Sequence, residues 1–200
     1  MKAFAFAALL GVTTLGFAAP AFAEEGPATA TIAQAAAALA PNRFVWADPQ
    51  MAAVDPVIQP VTVVVSLPMQ RAYVYRGDTM IAAASVSTGK DGKDTPVGIF
   101  PILQKREMHR SNLYNSAPMP FMQRLTWDGV ALHAGNNPGF PDSHGCIRLP
   151  SAFAKKLFSI TTVGTNVIVT DQMVGDHLDP ALLDTEASQA NQAQLASLAR

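Results

Sequence analysis

The sequence predicts a mainly β, α+β domain built around one core, with one or two short helices and an irregular covering segment. Three observations carry that prediction. Residues 61–66 are apolar and β-branched, as a buried strand requires. Residues 71–75 and 79–86 continue the pattern around an Arg76-Gly77-Asp78 turn, which makes a meander. A single amphipathic helix follows Pro150, with Phe153, Leu157 and Phe158 on one face and Lys155 and Lys156 on the other. At 200 residues the chain has room for one real core.

Taken in order, the chain opens with Met1-Lys2, an apolar run over residues 3–17 and an Ala21-Phe22-Ala23 site before two glutamates. This reads as a secretory signal peptide over residues 1–23, which is excluded from the fold. The apolar run is short for a membrane span, and Pro20 interrupts its end. The mature protein is therefore expected to be exported without a stable membrane span, into the periplasm of a Gram-negative cell. Residues 24–56 are Ala- and Pro-rich and read as a linker or loosely packed arm. Residues 31–39 form one or two helical turns there, and Phe44 and Trp46 pin the arm to the domain or dock a partner. The domain proper is expected over residues 57–171. After the meander, residues 88–98 hold Gly89, Gly92, Pro96 and Gly98 and form a loop. Lys90 and Lys93 beside it do not make a phosphate site, because the P-loop spacing and following helix are missing. Residues 99–104 are the next strand. Residues 105–124 show weak periodicity, and two prolines break their apolar middle. A long irregular segment inside a compact domain is often a lid. Met119, Phe121 and Met122 would line its inner face or pack in the core. Residues 125–127 and 130–133 form a hairpin around Asp128-Gly129 that delivers His133. Beyond the helix, for which Ser151 is the expected N-cap, residues 165–170 close the sheet. Residues 172–200 read as a weak helix from Asp179-Pro180 or a disordered tail, and His109 and His177 as surface residues.

The chemistry concentrates in the stretch His133-Ala-Gly-Asn-Asn-Pro-Gly-Phe-Pro-Asp-Ser-His-Gly-Cys-Ile-Arg148, which holds the one cysteine and two of the four histidines. Read as a strand over residues 143–149, it places His144, Cys146 and Arg148 on one face and Ile147 and Leu149 in the core. Gly145 has no Cβ, so its N–H can be approached closely. A thiol, two imidazoles, a bare backbone N–H and a guanidinium together suggest acyl transfer through a thioester. Cys146 is the candidate nucleophile, and the N–H groups of Gly145 and Cys146 are the candidate oxyanion donors. On one strand, His144 and Cys146 would have Cβ atoms about 6.5–7 Å apart, which suits neighbours better than bonded partners. His133 approaches from another strand. Arg148 would bind a substrate carboxylate, brace the site or form a structural ion pair.

The formal charge of −1 leaves no electrostatic basis for a nucleic-acid partner. A single cysteine excludes an internal disulfide framework and a multi-cysteine zinc module. A metal module built from His133, His144, Cys146 and Asp142 is an alternative, although the ligand spacing is narrow for zinc. No cofactor is expected.

The motif Ser143-His-Gly-Cys-Ile-Arg-Leu149, preceded by Leu132-His-Ala134, resembles the signature of the YkuD-type L,D-transpeptidases. Residues 65–75 resemble that family's opening strand pair, and residues 87–100 its glycine- and proline-bearing loop. The resemblance covers roughly residues 57–171. It implies a β-sandwich or barrel with a lid over the cysteine, and peptidoglycan peptide stems as the partner. It makes His133 the base, oriented by the Ala134 carbonyl, with His144 in support. Ser143, Ala134, Arg148, Met119 and Phe121 are then the candidate substrate contacts. The implied reactions are stem cross-linking, with L,D-carboxypeptidase or D-amino-acid exchange as variants, carried out by a monomer. A catalytically silent wall-binding protein that kept the fold is the competing class. His-Ala-Gly stands here where many members have His-Gly, and the segment from His133 to Ser143 is shorter than in many.

Overall fold

The computed structural model describes residues 31–47 and 59–174. The expected signal peptide, the Asp179-Pro180 helix start and His177 lie outside them. The chain order is α1 (Ile32–Ala37), β1 (Phe44–Trp46), β2 (Val61–Ser66), β3 (Arg71–Arg76), β4 (Thr79–Ser85), β5 (Gly98–Pro101), β6 (Gln104–Arg106), β7 (Met122–Arg124), β8 (Ala131–Ala134), β9 (Ile147–Leu149), α2 (Ser151–Ile160) and β10 (Asn166–Thr170). Among the described residues the fold is mainly β with two short helices, as expected.

Two sheets make the sandwich. The larger has the order β1-β4-β3-β2-β10-β5 and the smaller β6-β7-β8-β9. In β2 every residue but Thr62 is buried, because both faces of this central strand are covered. Val61, Val63 and Val65 face the smaller sheet and meet Leu132, Ala134, Ile147 and Leu149 there, together with Phe153, Ala154 and Leu157 of α2. Val64 faces the other way, with Tyr73, Tyr75, Ala83 and Ile168, under Ala36 of α1. A strand buried on both sides reads as a continuous apolar run, which is what the sequence displays there. Crossovers make β10 parallel to β2 and β9 parallel to β8.

Four expectations shift in position. The expected strand over residues 99–104 divides into β5 and β6, which belong to different sheets. Between them the Ile102 N–H is diverted to the Thr165 carbonyl. The hairpin before His133 starts earlier, with β7 ahead of Leu125, and residues 125–130 form the connection. Ser151 is the first residue of α2 and not its cap: Pro150 occupies the N-cap with no side-chain bond, which suits a residue with fixed φ at a helix start. Residues 31–47 are more than a linker. Thr31 and Gln34 form a capping box on α1. β1 pairs antiparallel with β4, Phe44 opposite Ala84 and Trp46 opposite Ala82. Phe44 and Trp46 pack on Phe153 with centroids 5.7 and 5.4 Å apart.

Phe153 is fully buried between the arm and the core. Phe153→Ala should therefore destabilise the fold by about 3–5 kcal/mol in urea titration. Amide exchange in β1 should accelerate beyond the rest of the larger sheet, since β1 loses its aromatic seat.

Candidate active site

Cys146 sits just ahead of β9, and His133 is the third residue of β8. The two strands are parallel, with His133 opposite Arg148. That pairing brings the histidine and the cysteine segment to one end of the smaller sheet. A cavity of about 580 Å³ opens there, lined by His133, Ala134, Ser143, His144, Cys146, Arg148 and Met119. Leu113 and Tyr114 of the irregular segment after β6 also line it, as does Asn42 of the arm. Phe121 is placed elsewhere: its ring meets Phe158 at 5.9 Å and packs on the main core. Met122 packs under the cysteine with Met119 and Ala131. His109 is half-buried and lines a neighbouring cavity of about 360 Å³ with Met122 and Trp127.

The strand expected over residues 143–149 is shorter in the structure, beginning only at Ile147. Gly145 has φ of +113°, a conformation in which a side chain is strained, and this bends the chain. The Ser143 hydroxyl closes the bend, accepting the Gly145 N–H at 3.1 Å and donating to the Cys146 carbonyl. Ser143 is 1% exposed, so it shapes the cysteine turn from inside while bordering the cavity. It also removes one expected oxyanion donor, because the Gly145 N–H is already engaged.

The Cys146 N–H is different. Its own peptide carbonyl, that of Gly145, accepts from Thr95 Oγ1 at 2.9 Å. In a trans peptide the carbonyl and the N–H point opposite ways, so this bond aims the Cys146 N–H away from Thr95. Among the described residues it has no intramolecular acceptor. Thr95 is itself fixed by accepting the Gly89 N–H at 2.9 Å. A Cβ on Gly89 would stand 2.0 Å from the Lys93 carbonyl, so the tight loop needs glycine there. Thr88 accepts the N–H groups of Asp142 and Ser143, and Ser87 pairs with Arg148 through both backbone bonds. The glycine- and lysine-bearing loop is thus the clamp of the cysteine turn. Sequence alone does not reveal Thr95, because nothing local in residues 88–98 points to a contact fifty residues away.

His133 Nδ1 lies 2.8 Å from the Ala134 carbonyl. That contact places the proton on Nδ1 and leaves Nε2 as the free acceptor. Burial of the ring pushes its pKa below the ordinary 6.5; the Ala134 bond opposes this, and the Arg148 and His109 charges add to it. Burial likewise raises the Cys146 thiol above its ordinary 9.0, against smaller opposing effects from the Ala131 backbone bond and from Arg148 and Arg124. The thiol donates to the Gly129 carbonyl at 3.4 Å. Both directions favour the uncharged forms, thiol and imidazole. Base catalysis fits this state, because a base whose protonation is suppressed is ready to accept. His144 is exposed and its ring stacks on Tyr114, with centroids 4.6 Å apart and planes 22° apart.

Arg148 is ion-paired with Asp142 at 3.0 Å. Its stem runs under Gly135, where a Cβ would stand 3.1 Å from Arg148 Cγ. Asp142, a possible metal ligand on sequence grounds, has the arginine as its partner. Among the described residues no group of three His, Cys, Asp or Glu side chains converges closely enough to hold an ion. No helix among them is long and apolar enough to cross a membrane.

The family model of the L,D-transpeptidase catalytic domain, YkuD, matches residues 60–169. Among solved structures, the fold is similar to an L,D-transpeptidase from Stackebrandtia nassauensis, with 29% identity, a TM-score of 0.51 and coverage of 55% of each chain. It is similar to the L,D-transpeptidase LdtMt1 in complex with imipenem, with 25% identity, a TM-score of 0.52 and coverage of 56% of this chain and 59% of that one. An L,D-transpeptidase from Mycobacterium smegmatis, at 23% identity, shares the fold with a TM-score of 0.52 over 56% of this chain and 59% of its own. The matched region spans less than two thirds of each of these relatives. No curated protein matches the chain significantly.

The neutral state of the pair sets a pH dependence. Alkylation of Cys146 by iodoacetamide should titrate above 9 in the folded protein, measured as rate against pH. A titration below about 7 would instead mean a preformed ion pair. The linked stability has opposite signs at the two groups. The thiol's contribution is present below 9.0 and lost as pH rises through the folded value. That of His133 is present above 6.5 and lost as pH falls through its lower folded value. Urea midpoints should therefore fall at both extremes, and Cys146→Ala should flatten the alkaline side.

Proposed function

The chain belongs to the L,D-transpeptidase catalytic domain family, and on that premise we propose that it is a peptidoglycan L,D-transpeptidase working through a thioester on Cys146. A domain of this family makes the protein an acyltransferase. The observation that carries the finer reading is that His133 and Cys146, whose N–H has no intramolecular acceptor among the described residues, line one cavity.

Cys146 attacks the diaminopimelate carbonyl of a donor stem. His133 Nε2 takes the thiol proton as the sulfur–carbon bond forms, so charge develops only during the attack. The carbonyl oxygen gathers negative charge against the Cys146 N–H, whose direction Thr95 holds. Collapse of the tetrahedral intermediate breaks the bond to the terminal D-alanine, and the histidine returns the proton to its leaving amine. The side-chain amine of a second stem then attacks the thioester and yields its proton to His133. The new amide forms as the thiol leaves. Water in place of the amine gives L,D-carboxypeptidase activity, and a free D-amino acid gives exchange. His144, stacked on Tyr114, supports the lid side of the cavity. Arg148, already neutralised by Asp142, braces the wall rather than offering a free charge. Residues 1–23 would export the chain to the periplasm, where the stems lie.

Incubation with disaccharide-tetrapeptide, followed by mass spectrometry, tests this directly: a dimer less one alanine is expected, and unchanged starting material would refute the reading. Cys146→Ala and Cys146→Ser should each abolish transfer with the urea midpoint kept near wild type, because a serine hydroxyl lacks a triad tuned to activate it. A β-lactam of the carbapenem class should add once to the intact mass, at Cys146. The imipenem complex of LdtMt1 supports that expectation, and an adduct that survives Cys146→Ala would contradict it. His133→Ala should slow acylation by about 10²–10⁴-fold at neutral pH, as loss of a general base does. Raising the pH should restore part of the rate, because hydroxide then makes thiolate. His144→Ala should show no such rescue, and rescue of that variant alone would exchange the two roles.

A further inference from the structure

Residues 31–47 lie outside the stretch that the family model matches, yet they reach the cavity. After α1 the chain turns at Pro41-Asn42, with the Arg43 N–H on the Ala40 carbonyl at 3.2 Å. Asn42 takes φ of +58°, the left-handed region that asparagine tolerates better than most residues. It is exposed and lines the cavity that also holds His133 and Cys146. Its carboxamide makes no hydrogen bond among the described residues.

The turn is held on three sides. The Arg71 guanidinium donates to the Ala36 and Leu39 carbonyls at the end of α1. Arg43 exchanges bonds with Ser85, N–H to Oγ at 3.2 Å and carbonyl from N–H at 2.9 Å. Pro41 presses on Gly139 so closely that a Cβ there would stand 2.6 Å from Pro41 Cγ. The loop that follows His133 is tied to the same place, since Asn137 Nδ2 donates to Ser85 Oγ at 3.0 Å. The arm and the substrate-facing loop are therefore one rigid wall.

We propose that Asn42 is a substrate-positioning residue whose carboxamide pairs with one peptide unit of the donor stem. This rests on the transpeptidase reading above. A carboxamide offers a donor and an acceptor together, as a peptide unit does. Arg148, the cation lining the same cavity, is already ion-paired, which favours a neutral partner over a carboxylate at this wall. The turn that carries it is fixed by proline, arginine and strand pairing, so binding need not order the backbone.

The test uses the full chain and Asn42→Gly, because glycine keeps the left-handed turn and removes only the side chain. With disaccharide-tetrapeptide as substrate, kcat/KM should fall about 3- to 10-fold, the size of one neutral hydrogen bond, with the loss carried by KM. Alkylation of Cys146 by iodoacetamide should not change, since that reagent is too short to span the cavity. An unchanged KM overturns the proposal, and so does an equal loss in alkylation, which would mean that Asn42 acts through the fold. If wild type does not turn over the tetrapeptide, the transpeptidase reading fails on its own account. The comparison then becomes a binding titration of the same tetrapeptide into Cys146→Ala with and without Asn42→Gly. Weaker binding by the double variant supports the role of Asn42; equal binding, or none by either, overturns it.

Discussion

The bond from Thr95 Oγ1 to the Gly145 carbonyl is the constraint on which the active site turns. It fixes one peptide plane, and that plane carries both the nucleophile's own N–H and the direction in which it can stabilise charge. Everything around it serves to hold that plane. Gly145 bends the chain at φ of +113°, with no heavy atom within 3.7 Å of where its Cβ would be. Glycine is needed there for conformation. At Gly89 it is needed for space, because a Cβ would collide with the Lys93 carbonyl. The two glycines are therefore not equivalent, although each sits in a short glycine-bearing motif. A preorganised donor costs no rearrangement when the oxyanion forms, which is the physical advantage of fixing it in the ground state.

Burial also opposes charge at the two candidate reacting groups. It pushes the thiol pKa up and the imidazole pKa down, and the arginine that borders both is paired with a carboxylate. In the proposed mechanism, charge develops as the sulfur attacks, in surroundings where its interaction with nearby dipoles is strong. Such a thiol reacts slowly with small oxidants and alkylators, since the thiolate is the reactive form.

The smaller sheet carries the candidate site residues, and both sheets share the main core. Parallel pairing of β8 with β9 sets His133 opposite Arg148 and so beside the cysteine turn. Among the described residues the larger sheet reaches the site through the loop after β4, which clamps the turn and is itself tied to Gln70 of the β2–β3 turn, and through the arm before β1, which lines the cavity. Phe44 and Trp46 on Phe153 join the arm to the core shared by both sheets. Packing far from the cysteine thereby positions a wall of the cavity.

Local pattern determined much of this protein. The β-branched run at residues 61–66, the meander over 71–86 and the amphipathic stretch after Pro150 were legible because burial imposes a period on side chains that needs no knowledge of partners. The chemistry-bearing residues were legible as types, since a lone thiol between glycine and arginine near two histidines is a reactive composition whatever the fold. Tertiary structure decided what those residues do. It cut the strand through Ser143 and Cys146 into a turn, because Gly145 adopts a backbone angle that alternation does not encode. It engaged the Gly145 N–H with Ser143 and left the Cys146 N–H unengaged. It turned Phe121 to Phe158, paired Arg148 with Asp142, and made the clamp from Thr95. It also raised residues 31–47 from a linker to a wall, although alanine and proline there carry no long-range signal. Each of these depends on atoms brought together from distant parts of the chain, and spacing along the sequence holds no record of that distance.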